Sequence, residues 1–281
     1  MIRNATKDML PQLIELWGEC FGDSEEYSSF FFQNKMIGTD VFQNQYVYVA
    51  DERIVSMLSV LPAVIIEENE ERPFWYVYGV ATKKEYRKKG YAGRLLKHIL
   101  ARAMEEDVAV GLVPANDALF GYYKKFGFET YFYHKILQFD RKNRNEKGNM
   151  CIEPISYKHY AQLRNESYQS EGVVVWDEKS VAYALKENEN LHGSACEIRY
   201  EGKSYFSLFC KSNEELLVRE TNAPECLLQS IFCSLAEKEK CNKVRIIYSP
   251  SESNETGKEK HGMIYNKKNN LKYGYLGLAL D

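Results

Sequence analysis

The sequence lacks a Cys-x-x-Cys pair, a long apolar run and a marked excess of either charge sign. Each absence excludes a class. Lysine and arginine number 37 against 40 aspartates and glutamates, a formal net charge of -3, so no overall field draws the chain to nucleic acid or to an anionic membrane. The longest apolar stretch, residues 54–66, is interrupted by Ser56, Ser59 and Pro62 and is too short to span a bilayer. The opening MIRNATKDML has no apolar segment of the secretory kind, so the chain is expected to be mature from Met1 and cytoplasmic. Histidine is scarce, five in all, and none stands at ligand spacing from Cys226, Cys233 and Cys241. These cysteines fall in one apolar, helix-like stretch and read as small buried hydrophobes, with no metal expected.

What is present is the composition of a soluble globular protein, 281 residues long, enough for about two domains. Met9, Leu10, Leu13, Ile14, Leu16 and Trp17 follow a helical period over 7–19, and Asp23 or Ser24 is placed to cap a second helix over 25–35. Then the period changes. Residues 46–50, 54–66 and 74–82 are β-branched or aromatic runs joined by short polar turns, an antiparallel meander in which Pro62 predicts a bulge or bend. Residues 90–107 predict an amphipathic helix, with Ala92, Leu95, Leu96, Ile99, Leu100 and Ala103 in one stripe. A strand at 108–113, a helix at 119–126 and a strand at 130–139 follow. Residues 141–149, RKNRNEKGN, carry no sizeable apolar side chain and predict a linker, dividing the chain into domains at 1–140 and 151–281 with 141–150 between. The second half repeats the plan with strands at 196–200, 205–210 and 215–221, a helix at 226–241 and a strand at 243–248. A polar loop at 249–260 and a strand-like end at 273–281 complete it.

The stretch WYVYGVATKKEYRKKGYAGRLL, residues 75–96, carries the chemistry. A buried strand enters a loop, Arg87-Lys88-Lys89-Gly90-Tyr91-Ala92-Gly93, which opens directly into the amphipathic helix. The first N–H groups of a helix have no internal partners and carry the positive end of its dipole, so a pyrophosphate fits there. Small residues at Gly90, Ala92 and Gly93 admit the phosphates, and Arg87, Lys88 and Lys89 add charge. Taken alone, the loop also fits an ordinary basic turn at a helix start. Downstream stand Asn116, Tyr123 seven positions later, and Gly127-Phe128.

This order of elements and motifs resembles the GNAT superfamily of N-acetyltransferases over roughly residues 1–140. The resemblance implies an α/β acyl-CoA N-acyltransferase (GNAT) fold, a mixed central sheet with flanking helices, and acetyl-CoA as co-substrate. Arg87, Lys88, Lys89, Gly90, Tyr91, Ala92 and Gly93 would hold its pyrophosphate, and Asn116 would belong to the later coenzyme motif. Gly79 inside an apolar strand suggests a bulge in itself. In the family a bulge there splays two strands to admit pantetheine, so that the backbone of Val80, Ala81 and Thr82 would bond to that arm. One such N–H would stabilise the oxyanion of the tetrahedral intermediate. Tyr123 matches the tyrosine that protonates the departing thiolate. A tyrosine packed against the sheet is the plain alternative for Tyr123, and core packing is the reading for Tyr122.

The acceptor is expected to be a primary amine that attacks the thioester directly, with no covalent enzyme intermediate. Glu25, Glu26 and Glu85 are conceivable bases, none singled out, and Trp17, Tyr27, Phe30, Phe31 and Phe32 lie where the family often builds its acceptor pocket, most of them reading as core. In the second half the corresponding point is Thr221-Asn222-Ala223-Pro224-Glu225-Cys226, without a basic residue or a glycine loop, and Glu225 would repel phosphate. A second, degenerate GNAT-like domain is therefore expected, shaping the acceptor pocket. Such a tandem resembles acetyltransferases of the enhanced-intracellular-survival type, which act broadly on amines. Those carry a further sterol-carrier-like domain, for which this chain leaves no length, and use their terminal carboxylate as base. Giving that role to Asp281 is a guess. Two rivals stay open: a non-catalytic acyl-CoA sensor, and transfer from aminoacyl-tRNA, which would need a basic face.

Overall fold

The computed structural model describes residues 1–33, 41–141, 150–249, 257–268 and 270–278. The chain divides into two compact units: Met1–Thr130 with Gly262–Asn270, and Tyr131–His261 with Leu271–Leu280. Residues 142–149, most of the expected linker, lie outside the described residues.

The first unit opens with β1 (Ile2–Asn4), α1 (Leu10–Phe21) and α2 (Glu25–Gln33). The meander follows as β2 (Gln45–Ala50), β3 (Arg53–Glu67) and β4 (Glu70–Thr82), then α3 (Tyr91–Glu105), β5 (Ala109–Leu112) and α4 (Asp117–Lys124). The sheet order is β1-β2-β3-β4-β5, antiparallel except for the parallel pair β4–β5. Leu95, Leu96, Ile99, Leu100 and Ala103 of α3 are buried against Leu58, Val60, Val77, Val110 and Leu112. Each large aliphatic side chain so buried contributes roughly 1.5–3 kcal/mol. Strand alternation turns Tyr78 the other way, where it meets Trp17 of α1 and Phe31 of α2.

The second unit contains β6 (Glu129–Asp140), β7 (Met150–Pro154), α5 (Tyr157–Ser167), β8 (Val174–Val175) and α6 (Glu178–Asn190). It continues through β9 (Ser194–Tyr200), β10 (Lys203–Ser212), β11 (Glu215–Thr221), α7 (Glu225–Lys238), β12 (Lys243–Tyr248) and the start of β13 (Lys258–Tyr265). Its sheet runs β6-β12-β11-β10-β9-β7, with only β11–β12 parallel. Beneath α5 the fully buried Arg164 guanidinium pairs with Glu220 at 3.1 Å, and the Tyr160 hydroxyl donates to the same carboxylate at 3.0 Å.

Both meanders form as expected. Pro62 does not bend its strand: it stays in register opposite Trp75, and because β2 pairs β3 no further than Ser59, its missing N–H removes no rung of that ladder. The expected polar loop at 249–260 ends early, since β13 begins at Lys258. Its Met263, Ile264 and Tyr265 join the first unit's sheet beside Leu112, Gly111 and Val110. The expected strand at the end reduces to two isolated bridges, Phe132 with Gly274 and Val173 with Tyr275, and 279–281 lie outside the described residues. Cys233 and Cys241 are buried as expected, whereas Cys226, in the first turn of α7, is exposed. Among the described residues no helix is long and apolar enough to cross a membrane.

Arg72 closes the first unit. Its guanidinium, 8% exposed, pairs with the buried Glu67 at 2.7 Å and with Asp107 at 3.0 Å, and donates to the Asn266 carbonyl at 2.6 Å. Removing a buried cation strands the carboxylate it neutralised, a loss of about 3 kcal/mol. Arg72→Ala is therefore expected to lower the urea midpoint of the protein by a corresponding amount, and adding Glu67→Gln should recover part of the loss.

Candidate active site

β4 is regular as far as Tyr78 and then gains a residue. Ser59 pairs with Tyr78 but Met57 with Ala81, so Gly79 and Val80 together face Leu58. Gly79 takes φ +60°, the left-handed region that a glycine tolerates, so the bulge read from the sequence is present. The parallel register with β5 ends at Val77–Leu112, while β4 runs on to Thr82. The backbone of Val80, Ala81 and Thr82 thus lies beyond the last β5 pair. Ser56, completely buried in β3, donates to the Ala81 carbonyl at 2.7 Å and lies 2.9 Å from the Thr82 hydroxyl.

After β4, Lys83 pairs with Glu15 at 2.6 Å and the Lys84 N–H donates to Glu19 at 2.6 Å, which ties the loop to α1. Arg87 folds back, its Nε donating to the Thr82 carbonyl at 3.1 Å and its Nη2 lying 3.6 Å from the Cys20 sulfur. Lys88 is left-handed at φ +63° although it is not glycine, and Lys89 sits over the Tyr86 ring at 4.7 Å. Such a backbone costs about 1 kcal/mol or more, and it persists where the surroundings enforce it. Gly90, at φ +82°, precedes the first turn of α3, and no side chain caps that turn. A β-carbon at Gly90 would meet nothing within 4 Å. The start of α3 therefore combines unfilled backbone donors, open space and exposed Arg87, Lys88 and Lys89, as a diphosphate requires.

The other small residues play different parts. Gly93 is buried, and a β-carbon there would lie 3.0 Å from Phe126, so its lack of a side chain lets α3 lie close to the end of α4. Ala92 is half-buried, and Tyr91 packs on Tyr48 with ring centroids 4.6 Å apart. Asn116 occupies the position before α4, exposed, with its side chain making no capping bond. Tyr123 is buried in the core cluster that includes Val80, and its ring lies 6.0 Å from Phe128. Burial, and then Tyr122, push its hydroxyl well above the usual phenol range. It therefore stays protonated through neutral and mildly alkaline pH, the state a proton donor needs. Trp17, Phe31 and Phe32 are buried core, as read for most of that group, while Glu25, Glu26 and Glu85 are exposed.

Three participants escaped the sequence reading. Ser56 and Cys20 reach the Ala81 and Thr82 carbonyls, and Tyr265 of β13 packs on Gly127 and Phe128. Only Ser56, a polar residue inside an apolar run, left a signal. In the second unit the turn between β11 and α7 is occupied by its own side chains. Asn222 accepts the Phe206 N–H at 2.8 Å, Thr221 accepts the Ala223 N–H at 3.1 Å, and Glu225 pairs with Lys135 at 3.2 Å. Because Gly93 is a packing position, Gly93→Val is expected to destabilise the protein by about 1–3 kcal/mol. In thermal melts it should fall below Gly90→Ala, whose added methyl meets open space and whose cost is about 1 kcal/mol of backbone strain.

Residues 1–131 match the family model described as an acetyltransferase (GNAT) domain. No curated protein matches in sequence. Among solved structures, a probable N-acyltransferase from Enterococcus faecalis V583 has a TM-score of 0.71 at 15% identity, the match covering 94% of this chain and 72% of that one. Eis1 from Mycobacterium abscessus has a TM-score of 0.69 at 8% identity over 94% of this chain and 73% of its own. A putative acetyltransferase from Pyrococcus horikoshii has a TM-score of 0.57 at 14% identity over 100% and 95%. Both units thus lie within a fold shared with these proteins, and residues 1–131 are similar to the GNAT acetyltransferase domain.

Proposed function

We propose that the chain transfers an acetyl or similar acyl group from acyl-CoA to a primary amine, using the first unit. The observation that carries this reading is the bulge at Gly79, where β4 outruns β5 just ahead of the uncapped helix start at Gly90. Arg87, Lys88 and Lys89 and the first N–H groups of α3 would hold the pyrophosphate, with Gly90, Tyr91, Ala92 and Gly93 supplying backbone. Val80, Ala81 and Thr82 would bond to the pantetheine arm, and Asn116 would contact the coenzyme from the start of α4. As the amine attacks the thioester carbon, its oxygen gains charge, and an N–H of the bulge would stabilise it. The carbon–sulfur bond then breaks and Tyr123 gives its proton to the leaving thiolate, while the amine's extra proton passes to a base or to water. The second unit is assigned no coenzyme, because Glu225 sets a carboxylate in the first turn of α7 and no basic glycine loop precedes it.

The burial of Tyr123 also suits a chain that binds acyl-CoA without transferring it. Calorimetric titration of acetyl-CoA, followed by a thiol-release assay against a panel of amines, separates the two. Binding lost in Arg87→Ala/Gly90→Glu, with CoA released by the wild type on some amine, supports the enzyme. Tyr123→Phe should then lower kcat by about 100-fold with little change in KM. Binding without release on any amine selects the sensor, and absence of binding overturns both.

A further inference from the structure

Gly79 lies against Trp17. A β-carbon at Gly79 would stand 2.9 Å from the indole Cζ3 and 3.3 Å from Cη2, so the ring occupies the space beside the α-carbon at the bulge. The ring is itself held. It packs on Phe21, Phe31, Phe32 and Tyr78 at centroid distances of 4.9, 5.0, 5.5 and 5.6 Å, and is 2% exposed. Its Nε1 donates to the Asp23 carboxylate at 2.7 Å. Asp23 is brought there by the end of α1: Gly22, at φ +80°, returns its N–H to the Gly18 carbonyl and reverses the chain. Ser24, not Asp23, then receives the Tyr27 N–H at the start of α2, at 3.1 Å. Asp23 is thereby kept for the indole.

We infer that Trp17, locked by Asp23, is a positioning residue that fixes the Gly79–Val80 peptide so that the bulge presents its N–H to the thioester oxygen. The inference rests on the acyltransferase reading above. The ring fills the space on the α1 side of the Gly79 α-carbon, so a shift of the bulge in that direction needs the ring to give way, against its aromatic neighbours and one hydrogen bond. A loosened ring would leave the pyrophosphate loop and the Ala81 and Thr82 backbone in place and would misdirect only the Val80 N–H. An electrostatic donor acts through its preorganised direction, so rotation weakens it without removing the ligand.

The test uses acetyl-CoA labelled with carbon-13 at the thioester carbonyl, bound to the full chain and observed by NMR. Polarisation by a hydrogen bond moves that resonance downfield. The wild type is expected to show the downfield shift. Asp23→Ala should lose most of it and lower kcat by about 10- to 100-fold, while the Kd for acetyl-CoA changes by less than about 3-fold. Asp23→Asn, which keeps an acceptor for the indole, should restore both. Trp17→Phe should behave as Asp23→Ala, and if it fails to fold, the Asp23 pair still decides. Equal carbonyl shifts in all variants would overturn the inference, as would an Asp23→Asn protein no better than Asp23→Ala. Loss of acetyl-CoA binding in Asp23→Ala would overturn it too, by placing the effect on affinity. A wild type that binds no acetyl-CoA would instead overturn the acyltransferase reading on which the inference depends.

Discussion

At Gly79 one extra residue enters β4, with φ at +60° and an indole ring against its α-carbon. The chemistry proposed for the first unit depends on that distortion. A regular β4 would continue its parallel ladder with β5 and consume the backbone groups of Val80 to Thr82 in sheet hydrogen bonds. The β5 pairing stops at Val77 and Leu112, just before the bulge, and leaves that backbone beyond the β5 ladder. Backbone donors suit a thioester because they are fixed in direction and cannot ionise. The cost is a strand that must be held open by packing on both faces. Trp17 and Tyr78 serve on one side, Val77, Val80 and the α3 stripe on the other.

Charge at the loop is arranged to match. Lys83, nearer the strand, is paired with Glu15 of α1, and the backbone N–H of Lys84 donates to Glu19. The positive charges that follow, Arg87 to Lys89, are exposed at the helix start, where α3 adds the positive end of its dipole. Arg87 spans both parts of the site. Its Nε bonds to the Thr82 carbonyl at the end of the bulged segment, while the residue itself belongs to the loop that would meet phosphate.

The features legible in the sequence were those with a local period or a local conformational demand. The apolar stripe of α3, the alternating strands of both meanders and the glycine of the bulge each leave a mark within a few residues. Features made by distant residues left none. β13 joins the first unit through Met263, Ile264 and Tyr265, more than 150 residues after their partners in β5, and its first three residues, KEK, read as polar loop. The expectation at Pro62 failed for a related reason. A proline disrupts a strand only where a neighbour needs its N–H, and local sequence does not reveal where β2 ends. Asp23 shows the same limit at shorter range. It and Ser24 were equal candidates for the helix cap, and only the position of Trp17 decides between them.

The two units also show why one topology does not guarantee one chemistry. In both, the last strand of a meander turns into a helix, and the helix start could receive an anion. In the first unit that start has an αL glycine, open space and the exposed Arg87, Lys88 and Lys89 before it. In the second, Pro224 removes one donor and Thr221 takes the Ala223 N–H, while Glu225 sets a carboxylate at the helix dipole and pairs with Lys135. A carboxylate there stabilises the helix by the same electrostatics that would have favoured a phosphate. The position is therefore used either for stability or for a ligand. On the proposed reading, these few residues after the third meander strand, and not the fold around them, would decide which unit can hold coenzyme.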